Sequence, residues 1–121
     1  MEETIATAPT TITIDQFVAL DIRVATVKEA SLIEGADRLL RLVLDVGDPA
    51  EGGLGERIVA SGIRQWYIPE DLIGKQVVYL ANLKPRMLRG VESQGMILAG
   101  GKTEAILLHP DKEVAPGTVV H

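Results

Sequence analysis

The sequence of 121 residues predicts a small all-β barrel: five strands, short helices and a C-terminal β extension. Three observations carry this expectation. Short runs rich in Val, Ile and Leu recur along the chain, several with period-two alternation. Gly- and Pro-containing loops separate them. No long amphipathic helical pattern alternates with them, as a parallel α/β sheet would need.

The elements follow in chain order. Residues 1–12 (MEETIATAPTTI) are small, polar and interrupted by Pro9, and read as a flexible tail or linker remnant ahead of a single domain over 13–121. Thr13-Ile14-Asp15-Gln16 matches a capping box, so a short helix should follow, with Phe17, Val18 and Leu20 on its apolar side. Asp21–Ala30 is a strand candidate in which Val27 breaks the alternation, the sign of a bulge or strong bend. Ile33–Asp37 is a turn about Gly35. Arg38–Val46 then alternates, with Leu40, Leu42, Leu44 and Val46 on one face. Gly47–Gly55 is glycine-rich, but it has acidic charges and no GKS or GKT, so it reads as a hairpin connection and not as a phosphate cradle.

Arg57–Ala60 is a short strand, and Pro69-Glu70-Asp71-Leu72 opens a helical turn that Gly74 ends. Gln76–Asn82 is a strand with Val77 and Tyr79 opposite Val78 and Leu80. Met96–Ala99 and Glu104–His109 are further strands around a Gly100-Gly101 turn, and Thr118–Val120 can close the chain as a small strand. This spacing suits an oligonucleotide-binding (OB) barrel, although periodicity alone does not separate that from other small barrels.

Composition bounds the chemistry. The length fits one domain with its own core. The chain has no cysteine, which excludes disulfides, thiol nucleophiles and Cys-ligated metals. No apolar run approaches the roughly 20 residues a membrane span needs. The N-terminus has two acids and no Lys or Arg, unlike a secretory signal, so a cytoplasmic protein without membrane contact is expected. The net charge of −5 argues against a generic polyanion binder.

The exception is Ala81–Met96, ANLKPRMLRGVESQGM. Between Lys75 and Lys102 stand five basic residues and one acid, a local balance of +4 that leaves −9 for the rest of the chain. Lys84, Arg86 and Arg89 fall within six positions, with Pro85 and Gly90 shaping what reads as a polar loop between two strands. Arg41, on the polar face of its strand, is the best of the outlying candidates, ahead of Arg23, Arg38 and Arg64. Asn82 and Ser93 read equally well as groups that hold the loop. Met87 and Met96 read as core fillers, and Trp66 as a packing anchor or dimer contact. Nothing assembles a nucleophile and base: Ser61-Gly62 lacks a GxSxG setting. His109 and His121 lack a metal-ligand pattern. No catalytic residue, metal or cofactor is expected.

Several segments together resemble the structure-specific tRNA-binding domain family. They are Asp21-Ile22-Arg23-Val24, Gly35-Ala36-Asp37-Arg38-Leu39-Leu40, Ser61-Gly62-Ile63, Asn82 through Gly90 (NLKPRMLRG) and Glu92-Ser93-Gln94-Gly95-Met96. That family includes the C-terminal domain of bacterial methionyl-tRNA synthetases and stand-alone tRNA-binding proteins. The resemblance implies an OB fold, a homodimer, and recognition of the outer corner of folded tRNA for an attached or associated aminoacyl-tRNA synthetase. RNA helices bury their base edges, so such recognition works through shape, phosphate and ribose. Lys84, Arg86 and Arg89 would then contact phosphate, Asn82, Ser93 and Gln94 would donate to phosphate or ribose, and Arg41 would assist. CsaA-type peptide-binding chaperones share the DIRV-like opening but lack LKPRMLRG, and remain the alternative. The apolar residues beyond Ala99 (Ile106, Leu107, Leu108, Val114, Val119, Val120) exceed what the barrel needs and require cover, from a partner subunit or the barrel itself.

Overall fold

The computed structural model describes residues 10–121; the tail expected over residues 1–12 lies mostly outside them. The capping box forms as expected. Thr13 Oγ1 accepts from the Gln16 amide (3.2 Å) and Gln16 Oε1 accepts from the Thr13 amide (2.8 Å), starting helix α1, Ile14–Val18. None of its residues is buried, although Phe17 is half-covered.

Five strands form one antiparallel sheet: β1 (Ile22–Leu32), β2 (Leu40–Asp45), β3 (Glu56–Ser61), β4 (Gln76–Leu80) and β7 (Met96–Ile97), in the order β3-β2-β1-β4-β7. The sheet curls into a nearly closed barrel. β1 makes the curl possible by serving two neighbours: Ile22–Thr26 pair with β4, and Thr26–Leu32 pair with β2. Its register slips between Val27 and Glu29, the bulge expected from the broken alternation at Val27. The alternation in β2 also holds, with Leu40, Leu42, Leu44 and Val46 fully buried. They pack with Ala25, Val27, Val59, Val77 and Tyr79 as the core. Helix α2 (Pro69–Leu72) places Leu72 in that core, and the Gly-rich segment between β2 and β3 is a hairpin connection.

The last edge is closed by two side chains and one backbone contact. No backbone ladder joins β3 to β7; instead Ser93 and Gln94 do the pairing. The Gln94 amide donates to the Ile58 carbonyl (2.8 Å), and the Ile58 amide donates to Gln94 Oε1 (2.8 Å). The Ala60 amide donates to Ser93 Oγ (3.0 Å), whose own proton goes to the Gly95 carbonyl (3.2 Å). Gly95 must be glycine: its φ is +97° and a Cβ there would lie 2.4 Å from the Leu80 carbonyl.

The C-terminal extension runs back over the barrel. Strands β8 (Ala99–Gly100) and β9 (Ile106–Leu107) form a hairpin, and Leu107 donates its amide to the Tyr67 hydroxyl (3.0 Å). Residues 117–120 lie along the stretch of β1 that β2 leaves free: Val24 donates to the Thr118 carbonyl (2.8 Å) and Val120 to the Ile22 carbonyl (2.8 Å). No described helix is long and apolar enough to cross a membrane.

Three packing expectations are corrected. Met87 and Met96 are not core fillers; both are exposed, because each falls on the outward face of a short strand at the barrel rim. Trp66 is exposed too, which overturns the packing-anchor reading and leaves the dimer-contact one untested; its neighbour Tyr67 takes the packing position against the core.

Ser93→Ala would strand the Ala60 amide at the closing edge. We expect a loss of about 1–2 kcal/mol, read as a lower urea midpoint at unchanged slope.

Candidate nucleic-acid interface

The basic segment is not an open loop. Pro85 is followed by a two-stranded hairpin, β5 (Arg86–Leu88) paired with β6 (Val91–Ser93), with Arg89-Gly90 at its tip. Both tip residues have positive φ, +50° for Arg89 and +83° for Gly90, the hand required by a two-residue type I′ turn. Gly90 adopts this freely. Arg89 is the one non-glycine residue with positive φ among those described. An arginine held there costs about 1 kcal/mol relative to glycine, and such outliers gather at functional sites.

The hairpin is held at both ends. At its base Asn82 Oδ1 accepts from the Asp21 amide (2.9 Å) and its Nδ2 donates to the Ala19 carbonyl (2.7 Å). This ties the end of α1 and the start of β1 to the entrance of the basic segment. At its exit stand Ser93 and Gln94, fixed to β3. Beneath them the Tyr79 hydroxyl donates to the Gln94 carbonyl. Burial pushes that hydroxyl above the ordinary tyrosine value, with Arg57 opposing the shift.

The expected site residues therefore divide. Lys84, Arg86 and Arg89 are exposed, and none has a hydrogen-bonding or ion-pair partner among the described residues. Asn82, Ser93 and Gln94 hold the segment in place. Ser93 is 5% exposed with its hydroxyl bonded on both sides, so it has no donor to offer a ligand. Gln94 spends its oxygen on Ile58 and keeps its amide NH2 uncommitted among the described residues. Arg41 is half-buried on the outer face of β2, opposite Ala60 of β3, and so flanks the same end of the barrel. Arg23 is unavailable: it pairs with Asp21 (2.6 Å) and donates to the Gly52 (3.1 Å) and Gly117 (3.3 Å) carbonyls. Arg64 donates to the Ala36 carbonyl (2.8 Å).

Alternation along the hairpin sorts its two faces. Arg86, Leu88, Val91 and Ser93 share one face, turned toward the barrel; Met87 and Glu92 share the other. Leu88 and the neighbouring Leu83 line a cleft against the barrel rim. Residue-by-residue reading missed this lining. Its available signal was the presence of Leu83 and Leu88 among charges, at positions no strand face required.

A nearly closed OB-type barrel, carrying a hairpin whose cations have no partner among the described residues, has the architecture of an oligonucleotide-binding module. The comparisons refine this. The family model described as "Putative tRNA binding domain" matches residues 22–119, and the chain belongs to that family. It is 51% identical over 104 residues, 85% of its length, to methionine–tRNA ligase of Methanothrix thermoacetophila. It is 47% identical over 111 residues, 90% of its length, to the ligase of Porphyromonas gingivalis. The chain spans only 14% and 15% of those two relatives. A crystal structure of a MetRS-related protein from Pyrococcus horikoshii is 31% identical, covers 93% of this chain and all of its own, and superposes with a TM-score of 0.83. Chaperone CsaA of Bacillus anthracis is 30% identical over the same shares, with a TM-score of 0.82. The chaperone thus shares the barrel, and the likeness in fold gives the chaperone reading no advantage.

Arg89→Gly should relieve the tip of the hairpin. We expect stability unchanged or raised by up to about 1 kcal/mol, measured by chemical denaturation.

Proposed function

We propose that the chain is a non-catalytic module that binds folded tRNA through Lys84, Arg86 and Arg89. The carrying observation is the strained Arg89 at the tip of a pinned hairpin whose cations have no partner in the described chain. Asn82, Ser93 and Gln94 fix the arm before RNA arrives, which lowers the ordering cost of binding. Gln94 Nε2 and Arg41 extend the contact surface toward ribose and phosphate. Three cations on a rigid arm suit the phosphate array of a folded RNA, where shape is read before sequence. The aminoacyl-tRNA ligase relatives support the same reading. In a larger cytoplasmic synthetase, or beside one, such a module raises the effective concentration of tRNA at the enzyme.

The triple variant Lys84→Ala, Arg86→Ala, Arg89→Ala tests this against tRNA across a salt series. Wild type should lose affinity as salt rises, and the variant should show a log–log slope shallower by about two to three. An unchanged slope sinks the site, and no tRNA binding by wild type sinks the function.

We also propose that the module works as a homodimer. Helix α1 is only five residues long and buries none of them, with Ile14 71% and Val18 69% exposed. So short a helix needs tertiary cover. Val119, 54% exposed, Ile106 and Leu108 add apolar surface on the C-terminal extension. A second copy placed over these elements presents two hairpins to RNA. Sedimentation at micromolar concentration should give a dimer, and Val18→Glu should shift it toward monomer. A wild-type monomer rejects the assembly.

A further inference from the structure

The cleft between the hairpin arm and the barrel rim has a volume of about 260 Å³. Its walls include Leu39, Leu83, Leu88 and Met96, with Lys84 and Arg86 also lining it and Ser61-Gly62 on the barrel side. Phosphate binding alone has no use for such walls. Beside the two cations Leu83 is 42% and Met96 45% exposed, an apolar surface that phosphate contacts do not draw on. The Ser61 hydroxyl takes part in no hydrogen bond among those of the described residues, so it can donate to or accept from a polar edge.

A flat apolar group with a polar edge, joined to an anion, matches all three features. We propose that this cleft receives one unstacked nucleobase of the bound RNA, with its phosphates held by Lys84 and Arg86. The proposal rests on the RNA-binding reading and names what part of the RNA enters. The base lies against Leu83, Leu88 and Met96, and its edge meets the Ser61 hydroxyl. A base paired inside an A-form helix cannot enter, because its edge is turned into the groove; only a loop or bulge nucleotide can. The preferred RNA therefore carries an unpaired nucleotide within the reach of the arm. With no aromatic ring in the lining, the cleft accepts a base by apolar contact and shape, and discriminates little among the four.

Two measurements on the full chain test this. In the first, methyl NMR follows titration with each nucleoside 5′-monophosphate, with ribose 5-phosphate as the baseless control. The Met96, Leu83 and Leu88 methyl signals should shift clearly further with the nucleotides than with ribose 5-phosphate, whose phosphate meets only Lys84 and Arg86; equal shifts with both, or none with the nucleotides, overturn the base pocket. In the second, Gly62→Leu fills the cleft. A Cβ at Gly62 meets only the Arg38 carbonyl, at 3.9 Å, an ordinary contact, so the backbone has room for the first atom of the new side chain. This variant should bind tRNA about tenfold more weakly with the salt slope of wild type, unlike the triple cation variant. Full tRNA affinity in Gly62→Leu rejects the pocket and leaves the RNA reading standing, whereas loss of tRNA binding by wild type removes both. Should Gly62→Leu fail to fold, the wild-type methyl titration decides the question alone.

Discussion

The structure depends on how one sheet edge is closed. A five-stranded sheet that curls must pair its first edge with its last or leave both to solvent. Here no ladder joins β3 to β7, and β7 is only two residues long. Ser93 and Gln94 supply the missing partners with a hydroxyl and a carboxamide, satisfying the Ile58 and Ala60 amides. The same two residues end the basic hairpin. Closing the barrel and fixing the arm are thus one event, and a fault in the closure would loosen the site.

That coupling explains how an acidic chain can present a cationic site. The net charge of −5 would repel RNA from most of the surface. Screening confines such effects to roughly 8 Å at physiological salt, so three cations on a protruding arm act locally. Under the proposed reading, the acidic remainder favours approach of RNA by the arm over approach by any other face. The arm achieves this without aromatic residues. Its rigidity comes from Pro85, a tight two-residue turn and backbone contacts at both ends.

Arg89 carries backbone strain at the tip of the proposed site. The two-residue turn demands positive φ at both positions, and glycine would serve both more easily. An arginine at the first position puts a guanidinium at the outermost point of the arm. The barrel tolerates the cost because β5 and β6 pair on either side of the turn and β6 runs into the anchored closure. The helix α1 reflects a comparable dependence. Its capping box forms, yet Ile14 and Val18 stay exposed within the described chain and only Phe17 is half-covered.

Much of the barrel was legible in the sequence because strand burial has a period of two. Leu40, Leu42, Leu44 and Val46, the bulge after Val27, the capping box at Thr13 and the hairpin after Val46 all announce themselves by residue type and spacing within a short stretch, where the sequence carries the information. The basic island was legible as a count of charge. Its shape was not. That Arg86–Ser93 fold into a hairpin depends on pairing within a segment whose strands are only three residues each. That Asn82, Ser93 and Gln94 face the backbone depends on Asp21, Ala19, Ile58 and Ala60, all between 33 and 63 positions away. The exposure of Met87, Met96 and Trp66 was decided in the same way, by where the rim of the barrel falls. The sequence by itself determined the main barrel strands, the alternating part of the core and the charge of the basic segment; the tertiary structure decided which polar residues face outward, because hydrogen-bond partners distant in the chain meet only when the barrel closes.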